Sequence, residues 1–540
     1  MTIKEKIAKK ALKFLGMLDS KPDQEDELTF INDRDKIRKM KLREYNVWYV
    51  GDSDELLNFY THENTIEYNY EPFFTRNKRG YFWNISSTES DIKRTHSGQA
   101  RNIVDTLVNI VDIPVVEGGV TKEKHNKLEN ILEDNDFWDT IYKQQQMPMT
   151  LVEGWGAYKI SWDKTLTDYA IIDYYKAENV DFVYKNNRLI AIIFKDYYVD
   201  ENGKKYLVIE TRRLENKSLH IEYELYWISD KNEQLVKKEF EDVKQFAYLR
   251  DIEHLIIEDF NELLAVPCIF FKDTDMNMYG RSIFAGKIDL YDDLDQCLSQ
   301  SSNTVRKSTP HEYFNSDYLE RDRKTGLPLQ PKAYDRKYIM YAGAKNADGG
   351  TVGKDPVQVT QPSLNFLEYS QEAQQILFQI ISGVMSPATL GIDVAKKDNA
   401  EAQREKEKIT VFTRNAIIKS ESRILKRLFS QLLCVQEYLE NDKITVKDYD
   451  ISVKFAEFAD ASFESKLTSL IPAMQSSVMS PEMFVDKLYG DTLSKEEKEK
   501  EILYINKMMD QEVNDGPDND KDNDGIPNEE MMEGLSEVFE

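Results

Sequence analysis

At 540 residues the chain exceeds what one hydrophobic core can organise, so two or more domains are expected. Its 41% hydrophobic and 11% aromatic content excludes a disordered chain, and no apolar run nears the roughly 18 residues of a membrane span. A formal net charge of −26 argues against tight, general gripping of phosphate backbones, which depends on Lys and Arg releasing counterions, although an acidic conduit would let a duplex slide.

Residues 3–18 set Ile3, Ile7, Ala11, Phe14, Leu15 and Leu18 against five lysines, which predicts an amphipathic basic helix. Docking on this chain or a neighbouring copy is the preferred reading over a membrane surface. No signal-peptide pattern accompanies it, so the product is expected to stay in the cytoplasm where it is made. After a polar linker, 33–50 and 52–62 read as helical, and an irregular aromatic stretch runs through Trp83. Periodicity predicts helices over 99–111 and 122–146. From Trp155 short β-branched and aromatic segments follow at 157–162, 169–174, 180–184, 189–198, 204–211, 219–228 and 235–240. Asn186-Asn187 and Asn202-Gly203 supply tight-turn chemistry, so the whole series reads as one antiparallel meander, with a further buried strand at 266–271.

Helix returns over 282–305. The interval 306–362 is rich in Gly, Pro and charge, with short strands at 311–314 and 337–341. A helix over 363–382 opens after Pro362 and stops at Ser382-Gly383, while Ser386-Pro387 and Gly391 hold 383–397 as a loop. Asp398 and Glu401 form a capping-box pattern before a helix of about forty residues, in which Ile409, Phe412, Ala416, Ile424, Leu428, Leu432, Val435 and Leu439 recur in mostly helical steps. A strand at 449–458 and helices at 461–475, 481–489 and 494–511 complete the folded part. Cys268, Cys297 and Cys434 are far apart in apolar or helical contexts and read as small buried side chains.

Catalytic signatures fail on inspection. In 349–355 the first glycine of a phosphate loop falls at Asp348, and Asp355 replaces the hydroxyl that should hold magnesium. His62-Glu63 and His311-Glu312 begin like zinc-protease helices, but Ile66 and Asn315 stand where the second His belongs. Asp289, Asp292, Asp293 and Asp295 crowd one helix and could share a divalent cation, which keeps a metal-dependent phosphodiesterase as an alternative. A solvated helix face is the preferred reading, because no complementary His, Lys or acid cluster is identifiable. In the tail, Asp520, Asp522, Asp524 and Asn528 take alternate positions of a calcium loop with Gly525 at the sixth, but Met531 replaces its bidentate Glu. Either a short calcium repeat, as in a calcium-organised structural or adhesion protein, or a plain acidic tail fits that pattern.

The run IISGVMSPATLGID (380–393) followed by DNAEAQREKEK (398–408) resembles the helix, channel loop and long helix of tailed-phage portal proteins, particularly those from phages of Gram-positive hosts. The resemblance implies an α+β portal fold. Its wing spans 1–280, its first stem helix 281–305, its clip 306–362 and its second stem helix 363–384. A tunnel loop over 385–398, a long wing helix with returning strand over 399–458 and a helical crown over 459–511 follow, and the acidic tail 512–540 is left unexplained. It further implies a non-enzymatic ring, twelve copies by family implication, at one capsid vertex of a virion. Double-stranded DNA would pass through its channel, and the terminase large subunit, the capsid and scaffold proteins and the head-tail connector would be its partners, with no membrane. Met385, Ser386, Pro387, Lys396 and Lys397 would lie in the DNA-facing loop, and Asp289, Asp292, Asp293 and Asp295 would keep the channel negative. No cofactor is required on this reading; the calcium pattern of the tail stands apart from the resemblance.

Overall fold

The computed structural model describes residues 29–63, 80–84, 92–117, 121–228, 235–273, 279–308, 311–315, 320–328, 337–341, 344–345, 351–352, 357–360, 366–392, 400–441, 449, 451–456, 470–472, 474, 479–489 and 495–514. It is an α+β protein. One compact unit comprises Met1–Lys397 and Ala402–Phe458, the other Asp398–Glu401 and Ala459–Glu540. No described helix is long and apolar enough to cross a membrane.

The first unit opens with α1 (Thr29–Val50) and the short α2 (Ser53–Asn58), which Asp52 caps by accepting from the Asp54 and Glu55 amides. A buried chain of bonds ties α1 down: the Trp48 indole donates to the Tyr60 hydroxyl, which donates to Glu44, each at 2.8 Å. Helix α3 (Gln99–Val111) buries Ile103, Val104, Leu107, Val108 and Val111 as its spacing predicts. β1 (Val115–Glu117) follows.

The single helix expected over 122–146 is instead broken. α4 (Lys122–Asp134) ends where Asp136 takes a left-handed φ of 46°, a wider-wound π segment covers Phe137–Gln146, and α5 is Met147–Glu153. Asn135 supplies the reason, since its side chain donates to the Ile131 and Ala170 carbonyls and accepts from the Ile172 amide, pinning the break to the next sheet.

The meander likewise divides. β2 (Trp155–Ser161) and β3 (Ile171–Lys176) belong to one sheet, while β4 (Val180–Lys185), β5 (Arg188–Val199), β6 (Lys205–Glu215), β7 (Ser218–Ile228) and β8 (Leu235–Lys238) run in order in another, with β9 (His254–Ile257) also on β7. β10 (Ala265–Ile269) completes the first sheet beside β2. A buried charge set joins the two sheets: Glu210 on β6 accepts from Arg212 at 2.6 Å and from Lys159 of β2 at 3.3 Å, and Arg212 also donates to the Ile160 carbonyl at 2.8 Å. The expected turn at Asn186-Asn187 is present, both residues at positive φ.

α6 (Ile288–Lys307) starts six residues later than the sequence suggests, because 283–287 form turns anchored by Ser282 Oγ accepting from the Phe284 amide. The small insertion after it holds β11 (His311–Asn315) and β12 (Lys337–Tyr341) in parallel, and β13 (Ala344–Lys345) against β14 (Thr351–Val352). β15 (Val357–Thr360) returns antiparallel to β11, pairing Thr360 with His311. α7 (Phe366–Ile381) then packs along α6, and a 3₁₀ turn at Pro387–Leu390 lies between Gly383 and Gly391, both left-handed at φ 74° and 71°.

α8 (Ala400–Asn441) has 42 residues, about 63 Å at 1.5 Å each. Its buried stripe is Thr410, Arg414, Ile417, Glu421, Ile424, Leu425 and Leu428, continuing through Leu432 and Val435. Ile409, Phe412 and Ala416, expected on that stripe, face solvent. The step from 416 to 424 is eight residues, which turns the helix by about 80° and so changes face. Arg414 Nε donates to the Ile110 carbonyl at 2.9 Å, fastening α8 to the end of α3. β16 (Ser452–Lys454), shorter than expected, pairs with β1.

In the second unit α9 (Pro481–Tyr489) and α10 (Lys495–Asn514) share a small core of Phe484, Val485 and Leu488 with Ile502 and Ile505. Of the helix expected over 461–475, only 470–472 and 474 are described, and they are helical.

Candidate functional site

The segment singled out by the sequence is the α6–α7 hairpin, the turned stretch after it and the first half of α8. Lys287 closes the hairpin at one end, donating to the carbonyls of Ile380 and of Ser382, the latter at 2.8 Å, where the last helical carbonyls of α7 lack intrahelical partners. Burial pulls its ammonium down to a pKa of about 8. Between the two helices lies a recess of about 270 Å³, lined by Leu294 and Leu298 of α6 and Phe366, Tyr369, Ala373 and Leu377 of α7. The larger recess, about 470 Å³, lies beside β1 and α4 and is rimmed by Glu129, Glu133, Asp136 and Asp139. Its one basic lining residue, His125, meets Glu129 at 3.1 Å, and the rest of its charged lining is acidic.

The four acids of α6 separate into two pairs. Asp292 and Asp295 are buried, which corrects their expected place on a channel wall or a solvated face. Asp292 accepts from the amides of Phe82 at 2.7 Å and Trp83 at 3.3 Å. Asp295 accepts from the Ser97 amide at 2.8 Å and the Trp83 indole at 3.1 Å and meets His96 Nδ1 at 2.7 Å. Ser299 extends this seam by accepting from the Thr95 amide at 2.9 Å. These carboxylates strap two upstream segments onto α6, and burial pushes the Asp292 carboxyl up to about 7 against the lowering effect of its two amide bonds. Asp289 and Asp293 remain exposed; Asp289 accepts from the Tyr81 hydroxyl, and burial together with Asp289 and Glu372 raises the Asp293 carboxyl. Among the described residues no group of three His, Cys, Asp or Glu side chains could hold a metal ion.

Two loop residues also need correction. Met385 and Ser386 are buried at 0% and 1% exposure and cannot face a duplex from this chain's surface. The Ser386 amide donates to Thr410 Oγ1 at 2.9 Å, and Thr389 Oγ1 lies 2.7 Å from the same hydroxyl, so α8 holds the turn. Pro387 is half-buried. Lys396 and Lys397 lie outside the described residues, as do Asp520, Asp522, Asp524 and Asn528 of the tail. The three cysteines are buried, as expected.

One group escaped the sequence reading. Glu421 is fully buried on α8 and its Oε2 accepts from Gln146 Nε2 at 3.1 Å, while Glu421 Oε1, Gln146 Oε1 and the Tyr158 hydroxyl have no partner. Desolvation drives its carboxyl up to about 8. The groups that feel its charge are Tyr142, Tyr158, Tyr174 and Cys268, none of them cationic. The available signal was spacing: Glu421 sits four after Ile417, three before Ile424 and seven before Leu428.

Compared with known proteins, the chain matches no protein-family model and no curated protein sequence.

Proposed function

We propose that this chain is the portal subunit of a tailed double-stranded DNA phage, a non-enzymatic ring at one capsid vertex. The observation that carries the reading is the succession of α6, a small β insertion, α7 packed back along α6, a short turned segment and the 42-residue α8. In this reading α6 and α7 are the stem, and the insertion is the clip that meets the terminase large subunit during packaging and the head-tail connector afterwards. The exposed Asp289 and Asp293 give the α6 side of the hairpin an acidic surface suited to a sliding duplex. Capsid and scaffold proteins would recruit the ring during head assembly, and the same ring would retain and later release the genome within the virion. A phosphodiesterase is disfavoured because Asp292 and Asp295 already spend their oxygens on backbone and indole donors.

The test is native mass spectrometry of the purified chain with negative-stain imaging. A ring of about a dozen subunits with a central hole is expected from the family resemblance. A monomer that capsid and scaffold proteins also fail to recruit would end the proposal.

A further inference from the structure

The long helix leaves an apolar stripe in solvent, and α7 of the hairpin leaves a line of two apolar and two amide side chains. On α8 the stripe is Ile409, Phe412 and Ala416, continued one turn at a time by Lys419 and Arg423, all exposed, with Phe412 at 62%. The spacing of three and four places these five side chains on one line opposite the buried stripe. From 409 to 420 this helix carries no acid. On α7 the exposed line is Leu367, Gln371, Gln374 and Phe378, with Leu367 at 74%, flanked by exposed Glu368 and Glu372. Between 366 and 381 this helix carries no Lys, Arg or His. Next to Leu367, at Phe366, begins the 270 Å³ recess between α6 and α7, where Leu294, Leu298, Phe366, Ala373 and Leu377 form an apolar floor among Ser301, Ser370 and Gln374.

We propose that the solvent stripe of α8 docks on the α6–α7 hairpin of a second copy of this chain, with Phe412 entering the recess and Lys419 and Arg423 facing Glu368 and Glu372. Three features select a second copy. The two stripes have opposite charge, so like surfaces repel and unlike ones meet in one orientation. The exposed aromatic and the recess belong to different elements, α8 and the α6–α7 pair, so the contact joins two unlike surfaces and is heterologous. A heterologous contact repeats, because each copy still presents the unused face of the other kind, and it ends only when a ring closes. Affinity comes from the buried apolar groups, and the exposed charges set orientation, since such pairs add little on their own. The inference deepens the portal reading, on which closure into a ring rests, while the contact itself stands on the two faces.

The test uses the full chain and mass photometry across a concentration series. Lys419→Glu with Arg423→Glu in one variant, and Glu368→Lys with Glu372→Lys in another, are each expected to raise the concentration for half-assembly at least tenfold. Circular dichroism and urea unfolding should match wild type, because all four positions are exposed. An equimolar mixture of the two variants is expected to regain assembly, alternating around the ring. Phe412→Ala, which keeps every charge, is expected to weaken assembly by a similar factor. Charge variants that assemble like wild type, or a mixture that fails to regain assembly, would overturn the contact while leaving a wild-type ring, and with it the portal reading, intact. A wild-type chain that stays monomeric at all concentrations also overturns the contact; recruitment into capsids then decides the portal reading separately.

Discussion

Replacing Glu421 with Gln tests the central buried acid directly. The carboxyl has a folded-state pKa of about 8 against an ordinary 4.5, because burial disfavours its charged form and outweighs the lowering effect of the Gln146 hydrogen bond. The native chain therefore holds more protons than the unfolded chain between these two values, and stability falls as pH rises through that window. Each pH unit costs about 1.4 kcal/mol, so by pH 7 the site has removed about 3 kcal/mol relative to its full contribution below 4.5. Glutamine keeps the shape of the protonated acid, still accepts from Gln146 Nε2, and its amide adds donors near Gln146 Oε1 and the Tyr158 hydroxyl. The variant should be more stable than wild type by about 3 kcal/mol at pH 7 and nearly indistinguishable at pH 4.5. Urea unfolding of both chains at pH 4.5, 6, 7 and 8 reads this as a gap that widens with pH. A constant gap, or a variant less stable than wild type at pH 7, would mean that Glu421 is ionised in the fold, and the reasoning would fail.

Asp295→Ala leaves the Trp83 indole, the Ser97 amide and His96 without their shared acceptor, and should cost about 3–5 kcal/mol with a changed tryptophan emission. Unchanged unfolding and emission would show that the strap contributes nothing. Thr410→Val removes the acceptor for the Ser386 amide and the Thr389 contact, and thermal unfolding should register a loss of about 1–2 kcal/mol. Lys287 should titrate near pH 8 by NMR, well below its ordinary 10.5. Because the unfolded chain holds that proton more tightly, the site favours folding increasingly from pH 8 to 10.5, and a midpoint above 10 would contradict the burial seen at the hairpin end.

Local chemistry was legible where local chemistry decides. Gly383 and Gly391 do occupy left-handed positions around the turn, the paired asparagines do turn β4 into β5, and α3 follows its apolar spacing. What failed depended on distant partners. Every residue of β2 from Trp155 to Ile160 is buried, so the strand lacks the alternation that would assign it a face, and its partner β10 arrives a hundred residues later. Asp292 and Asp295 read as a solvated face because nothing in their own helix reveals that Phe82, Trp83, His96 and Ser97 settle on them. The eight-residue step in α8 concealed a change of face, and with it both the exposed Phe412 and the buried Glu421.

The pairing of β11 with β15 has a consequence for how this chain tolerates change. His311 and Thr360 are register partners, so the points where the chain leaves α6 and re-enters toward α7 stand about 5 Å apart. Of the described strands, β12, β13 and β14 lie between these two points of the chain. Such a segment is a cassette: its length and surface can drift, or be exchanged for a foreign loop or a fluorescent tag, while the hairpin beneath keeps its spacing. Evolution and the engineer would both find this the least costly place to give the chain a new partner.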